Sequence, residues 1–241
     1  MEINSFSRVI TQDFSKSPAN LPISEKMTAQ ATGIETGSNN AEDAINLLNT
    51  AEGTLNNVSD SLNRIKELAI NAKNGILTDS DRSIIQDEIN SLKDGISDSL
   101  RNTEFNRIEL FNGFEGNVQT GPNQGQGRMM QIDNTSLDTL GIKNFDVTTD
   151  FNIEDIDNAI NKVNESRSNI GSQENALQNR VQVNNISREN VLSAQSKLDE
   201  DFEEKIMELK KNTIIEQYSI QMQRNKMNNL NNNNGLLNNM F

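Results

Sequence analysis

Apolar residues recur in heptads early in the chain. Leu48, Ala51, Leu55, Val58, Leu62, Ile65 and Ala69 are separated by alternating steps of three and four. That is the seam of a helix built to lie along other helices. Glu42 and Asp43 load its first turn, Lys73 closes the last, and Asn74 and Gly75 supply a stop, so the pattern predicts a helix over 40–73. A shorter helix is expected from Ser24 to about Gly33, because Gly33 and Gly37 interrupt any continuation beyond it. Thr78 with Asp81 three residues on is a capping-box signature. Ile85, Ile89, Leu92, Ile96 and Leu100 then mark a second helix that ends near Asn102. A loop this short folds two helices back as an antiparallel hairpin.

The character of the chain changes over 103–152. Five of the nine phenylalanines fall there, at Phe105, Phe111, Phe114, Phe145 and Phe151, among Gly113, Gly116, Gly121, Gly125, Gly127 and Gly141. The runs Asn117–Thr120 and Met129–Ile132 read as strands, with the Gly-rich 121–127 segment as the turn between them. The phenylalanines read as a small satellite core. A last helix starts near Asn152, with Glu154, Asp155 and Asp157 in its first turn. Ile156, Ile160, Val163, Ile170 and Leu177 mark one face, and Val191, Leu198, Phe202, Ile206 and Leu209 carry it on. The Asn-rich end, 225–241, reads as a segment that orders by packing on partners.

The fold class these patterns predict is mainly α: an elongated antiparallel helical bundle, or coiled-coil rod, with a small β-hairpin in its middle segment. The expected parts are an irregular N-terminal segment 1–37, core helices 38–112, a short middle 113–152, a C-terminal core helix 153–212 and a terminal segment 213–241.

Composition narrows the function. Only 33% of the 241 residues are hydrophobic and 4% aromatic, too little bulk for a large globular interior but enough for thin helical layers that each bury one stripe. The prolines, Pro18, Pro22 and Pro122, leave long stretches open to helix. A net charge of -13 argues against nucleic acid and against an anionic membrane surface as partners. The chain has no Cys and no His, which removes disulfides, thiolate metal sites and the commonest general base. No cofactor or metal site is expected, and no enzyme. The acids Asp199, Glu200, Asp201, Glu203 and Glu204 point in different directions from a helix and read as a solvated face. No apolar run has the length of a membrane span, and Met1 to Asn20 lacks the apolar stretch of a secretory signal.

Six stretches, in order, resemble bacterial flagellin. Ile23 to Met27 followed by Ala29 and Gln30 is similar to the family's ISEKM-x-AQ. Asn49 to Gly53 is similar to QTAEG, Leu62 to Ala69 to L-x-R-[VM]-[RK]-E-L-A, and Thr103 to Asn106 to TEFN. Ile156 to Gly171 resembles IDxAINKVxxxRSxLG, and Glu208 to Ile214 resembles ELTKNxI. The resemblance covers 23–112 and 153–241.

The resemblance implies a structural subunit of the bacterial flagellar filament, serving motility, whose terminal helices pack as the filament's core layer. Such subunits are secreted without a cleaved signal, by flagellar type III export, and end up extracellular. The implied partners are other flagellin subunits and a FliS-type export chaperone. By the same resemblance Arg64, Glu67 and Leu68 match the surface bound by the flagellin-sensing Toll-like receptor and by neighbouring subunits. Ile214, Ile215, Ile220, Met222, Met227 and Leu230 match the inner-layer and chaperone surface. Only twenty-two residues precede Ile23, with Pro18 and Pro22 among them, fewer than the family's N-terminal inner-layer helix uses. The chain is therefore expected to join filaments poorly alone. The alternative is a non-polymerising minor flagellin, or a hook–filament junction-like protein, acting as a binding partner.

Overall fold

The structure, a computed structural model, describes residues 21–238, with side chains over 22–228. In chain order its elements are α1 (Leu21–Ala72), α2 (Asp79–Asn102), β1 (Glu104–Phe105), β2 (Ile108–Glu109), β3 (Phe114–Gln119), β4 (Gly127–Ile132), α3 (Leu137–Leu140) and α4 (Glu154–Asn238). They group into two compact units. Among the described residues the larger is formed by 32–188, the smaller by 21–31 and 189–238.

The core of the larger unit is built on α1. Its seven heptad residues, Leu48 to Ala69, are all at most 1% exposed. They share one apolar cluster with Ile89, Ile96 and Leu100 of α2, and with Ile156, Ala159, Val163, Ile170 and Leu177 of α4. Burying each of the leucine, isoleucine and valine side chains contributes roughly 1.5–3 kcal/mol. Ion pairs give the direction of packing: Lys66 meets Asp157, Glu52 meets Arg167, and Glu35 meets Arg188. Numbers fall on α1 as they rise on α4, so the two run antiparallel. Arg64 with Glu88, and Thr54 with Thr103, show the same for α1 and α2. In the smaller unit, Gln195 Nε2 donates to Ser24 Oγ and to Thr28 Oγ1, each at 3.0 Å.

The start of α2 is fixed by its cap. Thr78 Oγ1 accepts from the Asp81 backbone N–H at 3.2 Å, and Asp81 Oδ2 accepts from the Thr78 N–H at 2.9 Å. The Thr78 hydroxyl also donates to Asp81 Oδ2. That hydroxyl first, then the backbone N–H, holds the Asp81 carboxyl below its ordinary range.

The helix boundary expected at Gly33 and Gly37 is absent. The stretch 21–37, expected to be irregular apart from a short helix, is the first part of a continuous α1; residues 1–20 lie outside those described. Pro22 falls in the first turn, where its missing N–H costs nothing. The two glycines are clearance. A Cβ on Gly33 would lie 2.7 Å from Pro122 Cβ, and one on Gly37 would lie 2.6 Å from the Gly121 nitrogen and the Thr120 carbonyl carbon. The loop between β3 and β4 thus rests on the backbone of α1. Asn40 Nδ2 donates to the Gln119 carbonyl at 2.9 Å, and the buried Asn184 Nδ2 of α4 to the Thr120 carbonyl at 2.8 Å.

β3 and β4 pair antiparallel, with Asn117 opposite Met129. The phenylalanines do not form a satellite core. Phe111 and Phe145, with Leu110, Met130, Ile132, Ile142 and Val147, belong to the same cluster as the α1 seam, because the middle segment covers apolar surface that the helices leave open. Gln86 and Lys93 of α2 hold this cover down. Gln86 Oε1 accepts from the Val147 N–H at 2.8 Å, and Lys93 Nζ donates to the Phe145 carbonyl at 3.2 Å. Phe145 and Phe151 meet edge to face with centroids 5.7 Å apart. Gln173 of α4 pairs its side-chain amide with both backbone groups of Gln131 in β4, at 2.9 and 2.8 Å. α4 runs through Gly171, where an added Cβ would meet nothing within 4 Å, and on to Asn238.

These contacts lead to two expected outcomes. Gly53, also inside α1, has nothing within 4 Å of an added Cβ. Gly53→Ala therefore raises stability to urea by about 0.5–1 kcal/mol, whereas Gly37→Ala lowers it, because the loop backbone blocks the methyl. Folding lowers the pKa of Asp81, so its capping contribution is present above the ordinary carboxylate range and is lost as pH falls through the lowered value. Amide-exchange protection in the first turn of α2 drops as the pH falls below the ordinary carboxylate range, and in Asp81→Asn that step disappears.

Candidate assembly and recognition surfaces

Arg64 stands on the exposed side of α1 between two carboxylates. Its Nη1 lies 3.1 Å from Glu67 Oε2, and its Nε and Nη2 lie 3.0 and 2.8 Å from Glu88 Oε1 on α2. The hydrogen bond to Glu88, then that to Glu67, raises the Arg64 pKa, and the two carboxylates orient the guanidinium. The three side chains are about half exposed or more. Such pairs add little to folding and leave a rigid charged surface.

Leu68 does not belong to that surface. It is 5% exposed and sits in the apolar cluster with Ala69 and Ala72. A two-position heptad seam underestimates what α1 buries, because α2 and α4 both press on it. The apolar stripe widens to include Leu47 and Leu68.

The second surface lies on α4 in the smaller unit. Ile214, Ile215, Ile220, Met222 and Met227 are 45–64% exposed, and Met207, Leu209 and Tyr218 stand out with them. The side chain of Leu230 lies outside the described residues. Large apolar groups spaced along an otherwise polar helix are the pattern of a surface that docks on other helices. Asp199, Glu200, Asp201, Glu203 and Glu204 are all exposed nearby on α4. Among the described residues no group of three or more acids is placed to hold a metal ion, and no helix is long and apolar enough to cross a membrane.

Sequence reasoning missed the loop seat on α1. Its signal was two glycines four apart, the spacing at which another backbone can approach a helix face. It also missed Arg128 and Arg180, which come together in a cleft beside the hairpin loop.

Long antiparallel helices whose exposed faces carry apolar and oriented charged side chains define a helical assembly protein. The bacterial flagellin N-terminal helical region matches residues 14–115, and the bacterial flagellin C-terminal helical region matches residues 153–236. A flagellin of Halalkalibacterium halodurans is 32% identical over 210 residues, which cover 83% of this chain and 77% of that protein. The flagellin of Bacillus subtilis strain 168 is 33% identical over 242 residues, covering 83% of this chain and 80% of that protein. The crystal structure of Bacillus cereus flagellin matches with a TM-score of 0.53 at 26% identity, over 60% of this chain and 88% of that one. The chain belongs to the bacterial flagellins, the structural proteins of the flagellar filament.

The two α1 positions separate in a mutational test. Leu68→Ala costs about 2–5 kcal/mol of stability by emptying part of the core, read as a lower urea midpoint. Arg64→Ala leaves that midpoint unchanged within error.

Proposed function

We propose that this chain polymerises with other flagellin subunits through the apolar positions of α4 after residue 205, and that a FliS-type export chaperone covers the same positions before export. The observation that carries the reading is the run of exposed Ile214, Ile215, Ile220, Met222 and Met227, together with Met207 and Leu209, on the last part of α4. Water-facing isoleucines at this density are a cost that burial against neighbouring helices removes. Export as an incompletely folded chain fits a protein free of Cys, which has no disulfide to form or break. A second reading concerns Arg64 and Glu67. Their fixed, outward charges suit a receptor such as the flagellin-sensing Toll-like receptor, with Leu68 serving only to hold α1 in place.

The experiment is seeded elongation of the full chain, with the products viewed by negative-stain electron microscopy. Filaments are expected to extend from flagellin seeds, whose subunits offer complete partner surfaces, and to form poorly from this chain alone. Ile214→Asp with Ile215→Asp is expected to abolish extension and chaperone binding while the helical circular-dichroism signal stays unchanged. Failure of the unsubstituted chain to extend seeds at any concentration would leave the non-polymerising alternative in its place.

A further inference from the structure

The loop between β3 and β4 and the adjoining face of α4 form a cleft that neither surface above uses. Gln126 and Arg128 line it on one side, Ala176, Arg180 and Val183 on the other, and no carboxylate contributes to its walls. This is unusual in a chain with 35 acids against 22 basic residues. Neither arginine takes part in any of the six ion pairs among the described residues. Arg180 Nε is buried with no hydrogen-bond partner. Its Nη2 lies 3.1 Å from the place a Cβ on Gly121 would take, so the bare backbone of Gly121 leaves room for the guanidinium against the loop. Val183, on the wall, is 52% exposed. The cleft therefore offers two cationic forks, an apolar rim and no acid to satisfy them. An occupant that supplies carboxylates and a little apolar surface completes it.

The same chain carries such an occupant. Asp199, Glu200, Asp201, Glu203 and Glu204 are exposed on α4, and none of them is in an ion pair among the described residues. Asp199, Glu200 and Glu203 share a shallow groove with the exposed Leu192. We infer that the Arg128–Arg180 cleft of one copy receives the acidic stretch of α4 around Glu200 from a second copy. The inference rests on the reading that the chain self-assembles. The two surfaces differ, so each copy can give one and accept the other. A contact of this kind does not close on itself and propagates. It also gives a polyanionic chain an attractive term at the encounter with its own kind, which salt weakens.

Charge reversal in the full chain tests this. One variant reverses the cleft (Arg128→Glu with Arg180→Glu), the other the acidic stretch (Glu200→Lys with Glu203→Lys). Extension from flagellin seeds at low salt is monitored by light scattering. Each variant alone is expected to extend more slowly than the unsubstituted chain by at least about tenfold, with the difference shrinking as salt is raised. An equimolar mixture of the two is expected to recover most of the rate, because every reversed surface again finds its opposite. Recovery in the mixture also shows that both variants are folded. The proposal is overturned if either variant extends like the unsubstituted chain, or if the mixture stays as slow as its components. If the unsubstituted chain itself fails to extend seeds, the self-assembly reading falls and takes this contact with it.

Discussion

The structure depends on α1 burying one stripe against two neighbours at once. Between Ala41 and Ala72 the helix turns both alanine and leucine inward, with Ala41, Ala44, Ala51, Ala69 and Ala72 all buried beside Leu47, Leu48, Leu55, Leu62 and Leu68. The small residues let α2 and α4 come close; the large ones fill the space between them. The cross-helix ion pairs are secondary. They are about one-third exposed or more, a setting in which such pairs contribute about 1 kcal/mol or less. The apolar seam supplies the energy, and polar groups adjust how the helices sit.

Hydrogen bonds from the helices position the middle segment over the apolar surface it covers. Gln86, Asn40, Asn184 and Gln173 each reach from a helix to a backbone group of the segment they hold. Neutral amides do this at little desolvation cost. Lys93 is the exception, a cation with 9% exposure that donates to the Phe145 carbonyl. Burial lowers its pKa, and Asp146 and Asp94 partly oppose that shift. Asp146 is itself kept ionised by hydrogen bonds from Thr148. A loop carboxylate thus steadies a cation on α2 that in turn steadies the loop.

Local patterns are legible in the sequence, and long-range ones are not. Heptads, the Thr78–Asp81 cap and the strands around 117 and 129 are short-range signals, and each corresponds to an element of the structure. Gly33 and Gly37 mislead because propensity says they weaken a helix, while the Pro122 loop that occupies the space they free is remote in the chain. Leu68 is grouped with Arg64 and Glu67 by a shared family stretch, which says nothing of the side each residue faces, and the two helices packed on α1 bury it. The phenylalanines read as a core of their own because sequence clustering does not reveal which helices lie beneath. The flagellin motifs order the termini but say nothing of Arg128 and Arg180, whose meeting depends on how the hairpin lands on α4.

Gln173 carries one more consequence. Its amide reads the main chain of β4 at position 131, not the side chain there. Evolution is therefore free to vary residue 131, proline excepted, without disturbing the strand's alignment to α4, while position 173 has no such latitude. The same amide fills a slot on the outer margin of β4 that a foreign strand would otherwise use. At that point the strand offers no free backbone pair for sheet extension.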